Sequence, residues 1–275
     1  MNDKKNERVR CIAEKAGFTD VRELAHGNGT LFFLFRAYRP APPAEYGKIN
    51  ISNYYLSSQY GYRSMKKIVA QLNEEGIYAE EFREHGVKRL ALETGGFIGL
   101  NSLYYHEQYG SFVSIHVLKT DIESDAGTPK KRATCRLCLN CVRACHTGAI
   151  SERGLRVERC LRAHSNERSI PKEFRASIYQ LLGCERCQSA CPCNDPQTGE
   201  AHAYDLIEVI EGKHTEEIRA LVGANYGRRR IILGQAVIYA ANVRYMPALA
   251  AIEALMEDEF VGGAARFAME ILKKS

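Results

Sequence analysis

The sequence lacks the segments that direct a chain into or across a membrane. Its N-terminus, MNDKKNERVR, is charged and is followed by no apolar stretch of the kind a secretory signal requires. No apolar run approaches the length that spans a bilayer, and the run LFFLF at residues 31–35 is only strand-sized. We therefore expect a cytoplasmic protein with no membrane-spanning segment, and structural disulfides are rare in the cytosol.

A strong net charge is also absent. The 275 residues carry 38 Lys and Arg against 33 Asp and Glu, which gives a formal net charge of +5. This charge permits an anionic partner such as RNA but does not require one. Each of the basic clusters at residues 130–132 and 228–230 is either a solvated face or an RNA contact.

Cysteine, by contrast, is abundant, with ten residues in the chain. In CRLCLNCVRACHTGAI (135–150) four cysteines have the spacing C-x2-C-x2-C-x3-C. Bacterial ferredoxins use this spacing to hold three corners of one [4Fe–4S] cluster, while the fourth cysteine reaches a second cluster. A zinc site, the alternative, would separate its C-x2-C pairs by a dozen or more residues.

The other cysteines supply the ligands that a second cluster needs. Because the last cysteine of each run serves the other cluster, we predict two crossed sets of four ligands. One set is Cys135, Cys138, Cys141 and Cys191, and the other is Cys145, Cys160, Cys184 and Cys187. Cys193, two residues beyond a predicted ligand, is either a buried spectator or a thiol in contact with substrate or cofactor.

Hydrophobic periodicity divides the chain into three predicted parts. Alternating helix and strand signals predict an α/β or α+β domain at 1–127, with helices at 3–16, 61–75 and 83–93 and strands at 30–37 and 111–118. Residues 128–200 form the predicted ferredoxin-like two-cluster domain. Residues 201–275 form a predicted α-helical tail, with helices at 204–212, 214–223, 228–243, 247–258 and 264–274.

Together these motifs resemble the epoxyqueuosine reductase family. The cysteine segments, IPKE at 170–173, CPCN at 191–194 and the segment GGFIGLNSLYYHEQYGS at 95–111 correspond to the family's motifs. The resemblance implies base-off cobalamin held between the N-terminal and iron–sulfur domains. It also implies electron flow from the clusters to cobalt for substrate reduction, and a HEAT-like tail and basic surfaces that hold tRNA. Reduced ferredoxin or flavodoxin is the expected electron donor, and we expect a monomer.

The resemblance also suggests site residues. Asn101, Tyr109, Ser111 and Cys193 are candidates for the cofactor pocket, and Glu80 stands where the family has a catalytic aspartate, since a glutamate can also donate a proton. Further candidate proton donors are His106, His116 and His164. The chain departs from the family at Leu100, where the family has lysine, and at Cys193, where it has tryptophan. Two alternatives therefore stay open: an electron-transfer protein without its own substrate, and a corrinoid- or tRNA-binding relative without catalysis.

Overall fold

The computed structural model describes residues 2–84, 86–124, 134–167 and 169–274. The chain forms two compact units, each assembled from separate segments. Unit 1 comprises Met1–Tyr38, Ser57–Cys138 and Cys191–Pro196, and unit 2 comprises Arg39–Leu56, Leu139–Ala190 and Gln197–Ser275. The predicted boundary at 127/128 and the basic cluster at 130–132 lie outside the described residues.

The helices and strands follow one another in a mixed order. The strands are β1 (Asp20–His26), β2 (Gly29–Ala37), β3 (Lys48–Asn50), β4 (Ala79–Glu81), β5 (Phe97–Ile98), β6 (Tyr104–Tyr105), β7 (Val113–Thr120), β8 (Ile150–Ser151), β9 (Gly154–Leu155) and β10 (Ala203–Asp205). The helices are α1 (Asn2–Lys15), α2 (Asn53–Glu74), α3 (Val87–Ala91), α4 (Asn140–Arg143), α5 (Leu161–His164), α6 (Lys172–Arg175), α7 (Arg186–Ser189), α8 (Leu206–Ile210), α9 (Thr215–Val222), α10 (Arg229–Asn242), α11 (Leu249–Glu253) and α12 (Gly262–Leu272). Short 3₁₀ turns lie at Leu92–Thr94, Val157–Arg159 and Met246–Ala248.

Unit 1 is built on an antiparallel sheet with the strand order β1-β2-β7-β4. Strand β2 lies inside this sheet, and its apolar side chains alternate between two buried faces. Phe32 and Leu34 pack with apolar residues of α1 and α2, and Phe33 and Phe35 pack with Val117 on the other face. The continuous apolar run of β2 is therefore explained by burial on both sides of the sheet.

Two glycines of unit 1 permit close local packing. Gly27, with φ 59°, allows the two-residue turn that joins β1 to β2, where His26 pairs with Gly29. The imidazole of His116 on β7 lies against Gly61 of α2 and fills the space that a Cβ atom at Gly61 would occupy. Burial and the charge of Arg36 lower the pKa of His116 to about 4, so this imidazole is neutral at pH 7.

The core of unit 2 surrounds α10, which is buried on nearly all sides. Two polar side chains of this helix bind the backbone of the cysteine-bearing segment. The Gln235 amide accepts from Leu182 N at 2.7 Å and donates to Ser165 O at 3.0 Å. Asn242 Nδ2 donates to the carbonyl oxygens of Arg175 and Ile178, both at 2.8 Å. These bonds tie α10 to the segment between Cys160 and Cys184.

Several sequence-based elements agree with the structure, and others need correction. The predicted helix at 3–16 and strand at 30–37 are confirmed as α1 and β2. The helix predicted at 61–75 begins earlier, at Asn53. The helix predicted at 204–212 is shorter, because residues 203–205 pair with β3 and Asp205 then caps α8 by accepting from Glu208 N. No helix among the described residues is long and apolar enough to cross a bilayer.

Candidate iron–sulfur site

The first cysteine run lies on a tightly curved backbone. Leu137 and Leu139 both have positive φ, at 50° and 61°, and α4 begins directly after Leu139. Left-handed conformations are uncommon for leucine and are typical of chains that must turn sharply at a functional site. Cys138 and Leu137 are exposed, Leu137 to 64%. The run thus forms a loop whose outer edge faces solvent.

In unit 2, cysteines that are distant in sequence lie within electrostatic reach of one another. Burial raises the pKa of the Cys184 thiol, and the nearby Cys160 and Cys145 raise it further. Cys187 is on α7, which packs against α4, the helix that precedes Cys145. The structure therefore brings together Cys145, Cys160 and Cys184 although 15 and 24 positions separate them along the chain.

Hydrogen-bond donors surround the Cys145 sulfur. It lies 3.6 Å from the Thr147 hydroxyl and also accepts from the backbone N–H groups of Thr147, Ala149 and Ile150. Burial acts to raise the pKa of this thiol, but these donors outweigh it and lower the pKa. Such donors stabilise the thiolate, which is the form that binds iron. The site is therefore suited to an anionic sulfur.

In unit 1, a second polar network surrounds Cys191. Burial raises the pKa of the Tyr105 phenol, the nearby Cys191 side chain raises it further, and Asn101 and Ser111 lower it. Asn101 Nδ2 donates to the Tyr105 oxygen at 3.0 Å. Asn194, in the CPCN motif, accepts from Ser111 N at 2.7 Å and donates to Ser111 Oγ at 2.9 Å. The segment that contains Cys191 is thereby fixed to the loop before β7.

The candidate cofactor residues have different surroundings. Asn101 and Ser111 are buried, to 3% and 5% exposure, in the network just described. Tyr109 is half-buried, and its hydroxyl donates to Thr19 O at 3.2 Å. Cys193 lies near Cys191, Cys135 and Arg136; burial raises its pKa most, and Cys191 raises it further. Whether these residues contact a cofactor stays a prediction.

Each candidate proton donor has its own set of partners. Glu80 is exposed on β4, with Lys119 Nζ 3.7 Å from its carboxylate. His106 is buried and hydrogen-bonds Asp20 at 2.8 Å, and its other ring nitrogen accepts from Gln108 N. His164 lies in unit 2 and hydrogen-bonds Glu167 at 2.6 Å. The catalytic role predicted for Glu80 therefore stays a prediction.

Sequence reasoning missed two residues that adjoin the cysteines. Tyr105 carried no motif signal, because its significance depends on a contact with a residue 86 positions away. Glu185, between Cys184 and Cys187, is only 3% exposed and accepts from the Ser52 hydroxyl at 3.1 Å. Burial raises the pKa of this carboxyl group. A charged residue inside a C-x2-C motif is expected at the surface from sequence alone, so the burial of Glu185 could not be predicted.

Among the described residues, no three histidine, cysteine, aspartate or glutamate side chains converge on the position of a single metal ion.

Comparison with known proteins agrees with these observations. Residues 134–194 match the family described as "4Fe-4S double cluster binding domain". The epoxyqueuosine reductase of Lactococcus garvieae is 27% identical over 198 residues, which cover 65% of this chain and 56% of that protein. The enzyme of Synechococcus sp. is 34% identical over 142 residues, covering 48% of this chain and 43% of that protein. The chain thus spans about half the length of the curated relatives it matches.

Solved structures show the same fold. The structure of epoxyqueuosine reductase from Bacillus subtilis matches with a TM-score of 0.82 at 18% identity, covering 99% of this chain and 91% of that one. An epoxyqueuosine reductase in complex with a modified tRNA stem loop matches with a TM-score of 0.81, also at 18% identity, with the same coverage. The chain therefore carries a 4Fe-4S double cluster binding domain in a mixed α and β fold shared with epoxyqueuosine reductases, to which its sequence is also similar.

Proposed function

We propose that the chain is an iron–sulfur reductase of the epoxyqueuosine reductase type. In this proposal two [4Fe–4S] clusters pass electrons, received from reduced ferredoxin or flavodoxin, to a corrinoid for reduction of a substrate carried on tRNA. The observation that carries the proposal is the grouping of Cys145, Cys160 and Cys184 within the matched double-cluster domain. The relatives that the sequence matches are epoxyqueuosine reductases, which supports the same chemistry here.

The two crossed ligand sets are part of this proposal. The grouping in unit 2 supports the set of Cys145, Cys160, Cys184 and Cys187, since it contains Cys145 of the first run. We assign the remaining Cys135, Cys138, Cys141 and Cys191 to the other cluster, in a ferredoxin-like domain followed by a HEAT-like tail. Backbone N–H donors to Cys145 support thiolate ligation at that position.

The residues offered for a corrinoid fit it only in part. When bound, a corrinoid would supply a cobalt centre able to deliver electrons to the substrate. The polar atoms of Asn101 and Ser111 already hydrogen-bond within unit 1. These residues would therefore position the loop rather than bind the amide side chains of the corrinoid. Tyr109 is half-buried and remains the candidate for direct contact. Glu80, as an exposed carboxylate, could hold a proton for the substrate.

The tail offers a basic surface for tRNA. Arg228 and Arg229 are exposed at the start of α10, although Arg229 also pairs with Asp258 at 3.2 Å. Two cations at a helix N-terminus are unfavourable for the helix, so a phosphate partner would relieve their repulsion. We expect Arg228→Ala to weaken tRNA binding and to reduce the slope of log affinity against log salt concentration by about one, the loss of one phosphate contact. Lys4→Ala, on the exposed face of α1, is the matched control.

One observation favours a second candidate function, a two-cluster electron carrier without its own substrate. Cys138 is exposed and its neighbour Leu137 is 64% exposed, so a cluster bound there would have an edge near solvent. An exposed edge suits electron exchange with a protein partner.

The deciding experiment is anaerobic reconstitution followed by titration with cob(II)alamin, monitored by EPR. Two clusters of four irons predict about eight irons per chain. A base-off cobalt signal that saturates at one equivalent supports the corrinoid reductase. Full iron with an unchanged cobalamin spectrum refutes it in favour of the electron carrier, and a zinc-loaded, iron-free protein refutes both.

A further inference from the structure

The positive charge of the chain is concentrated in its cysteine-rich part. Residues 134–190 contain 10 Lys and Arg against 5 Asp and Glu. This excess of five equals the formal net charge of the whole chain, so the charges of the other residues balance. One of the five acids, Glu185, is only 3% exposed and adds little negative charge to the surface. The segment that carries most of the predicted ligands is therefore the basic part of the protein.

Three arginines of this segment form a surface that we call the arginine patch, namely Arg153, Arg156 and Arg159. All three are exposed. Among the residues that the structure describes, no acceptor hydrogen-bonds or pairs with any of their guanidinium groups. Arg229 in the tail differs, since it pairs with Asp258 at 3.2 Å. The charges of the arginine patch are therefore available to a partner.

A hairpin and a 3₁₀ turn of unit 2 position the arginine patch. The hairpin pairs β8 with β9, and in its turn Arg153 N donates to Ser151 Oγ at 3.3 Å. Arg156 N then donates to Ala149 O at 2.8 Å, which ties the end of the hairpin to its start. The 3₁₀ turn Val157–Arg159 follows directly. The backbone that carries the three arginines is thus hydrogen-bonded rather than a free loop.

The arginine patch borders two predicted ligands of one cluster. Arg159 directly precedes Cys160 in the sequence. Its guanidinium group lies 3.5 Å from the position that a Cβ atom at Gly148 would take, and Gly148 N donates to Cys145 O at 3.0 Å. A molecule that binds the patch is therefore held beside the segments of both cysteines.

The composition of this surface favours a protein partner over tRNA. Val157, between Arg156 and Arg159, is 59% exposed, and protein interfaces combine apolar contacts with arginine. A phosphate backbone gains nothing from a valine side chain. Glu152 and Glu158 are exposed in the same segment and would repel phosphates, whereas a protein surface can pair each charge separately.

We propose that the arginine patch and Val157 form the docking site for the electron-donor protein, which presents an acidic surface around an apolar contact. This inference rests on the proposed function, because it locates the donor of that function. The reduced donor loses one electron and the cluster held by Cys145 and Cys160 gains it, with no transfer of atoms. Opposite charges accelerate the encounter and orient the two proteins.

The test measures electron transfer from the hydroquinone form of an acidic flavodoxin by anaerobic stopped flow. Arg153→Glu and Arg156→Glu each reverse one charge of the patch without replacing a ligand. At low ionic strength, the second-order rate constant should fall about three- to tenfold in each variant. The difference from wild type should nearly disappear at about 1 M salt, where the screening length is about 3 Å.

The matched control is Arg89→Glu on α3. Arg89 is exposed, and no acceptor for its guanidinium group lies among the described residues. This variant has the same net charge as the test variants, so its rate constant should stay within about twofold of wild type. Val157→Ser should lower the rate constant about threefold at low and at high salt, because salt does not screen an apolar contact. All variants should bind about eight irons and react equally with photoreduced deazaflavin, a small reductant that needs no docking site.

The outcomes separate the inference from the function on which it rests. Equal flavodoxin rate constants for Arg153→Glu, Arg156→Glu and Arg89→Glu at low ionic strength, in proteins with full iron, would overturn the inference alone. Weaker binding of bulk tRNA to the two patch variants with unchanged flavodoxin rates would also overturn it and make the patch an RNA contact. Wild-type protein that binds no iron would overturn the proposed function itself.

Discussion

Replacing Asn194 with alanine should loosen the segment that contains Cys191. The substitution removes the acceptor of the Ser111 N–H and the donor to Ser111 Oγ, which are bonds of 2.7 and 2.9 Å between residues that are at most 9% exposed. Loss of a partner for a buried donor costs about 1–3 kcal/mol, and the second bond contributes about 0.5–1.5 kcal/mol. We take about 2 kcal/mol as the net cost, because water can enter the space left by the amide.

The consequence can be measured as the rate of iron loss. At about 1.4 kcal/mol per tenfold, a cost of about 2 kcal/mol makes local opening of the 191–196 segment about 30-fold more frequent. Iron release to a ferrous chelator, followed anaerobically at pH 7, should accelerate by a similar factor. Asn225→Ala, at an exposed asparagine, should release iron at the wild-type rate. Equal rates for Asn194→Ala and wild type would refute the reasoning.

Three further predictions follow from the contacts described. The pKa of Asp20 is lowered from 3.8 to about 2, because hydrogen bonds and charges from its partners outweigh the effect of burial. The ionised carboxylate therefore stabilises the fold above about pH 4, and this contribution disappears as the pH falls towards about 2. After a discount for the 30% exposure of the side chain, we expect Asp20→Asn to lower the free energy of unfolding in urea by about 1–2 kcal/mol at pH 7. The difference in unfolding free energy between wild type and variant should become smaller below about pH 4. Gly61→Ala should destabilise the protein by about 1–3 kcal/mol, because the new methyl group would clash with the facing imidazole. Gly234→Ala, at a helix position with open space around it, should stabilise the protein by about 0.5–1 kcal/mol. Calorimetric scans in which both variants change stability in the same direction would contradict this. Cys135→Ser and Cys145→Ser should each disrupt a different cluster, although both residues belong to one sequence run. The remaining cluster should therefore give a different EPR spectrum in each variant, and identical spectra would exclude the crossed assignment.

The elements predicted well from sequence are those whose signal is local. The run LFFLF identifies β2 because a strand buried on both faces needs apolar residues at every position. Strand β1 was missed, since its sequence, DVRELAH, shows no clear alternation and is stabilised by pairing with β2. Residues 204 and 205 are predicted as the start of a helix, but they pair with β3, about 155 positions earlier, and this pairing overrides local propensity.

The same distinction applies to the candidate site. Cysteine spacing is a local signal, and it was enough to predict the double-cluster domain that residues 134–194 match. The surroundings of the sulfurs were not predictable. Asn101 and Ser111 are predicted for a cofactor pocket, and that role stays a prediction. Their partners, Tyr105 and Asn194, depend on how the 191–196 segment folds back in unit 1. No periodicity or motif encodes that return.

The amide of Gln235 limits how this protein can be divided. One side chain, 3% exposed, satisfies Leu182 N two residues before Cys184 and Ser165 O five residues after Cys160. A fragment that ends at residue 200 would keep every cysteine but would leave both backbone groups without that amide. The cysteine-rich segment is therefore a poor module for transplantation or for expression alone, and a minimal cluster-binding fragment has to extend through α10. Selection on the cluster site should then act on the helical tail as well, at positions distant in sequence from the cysteines.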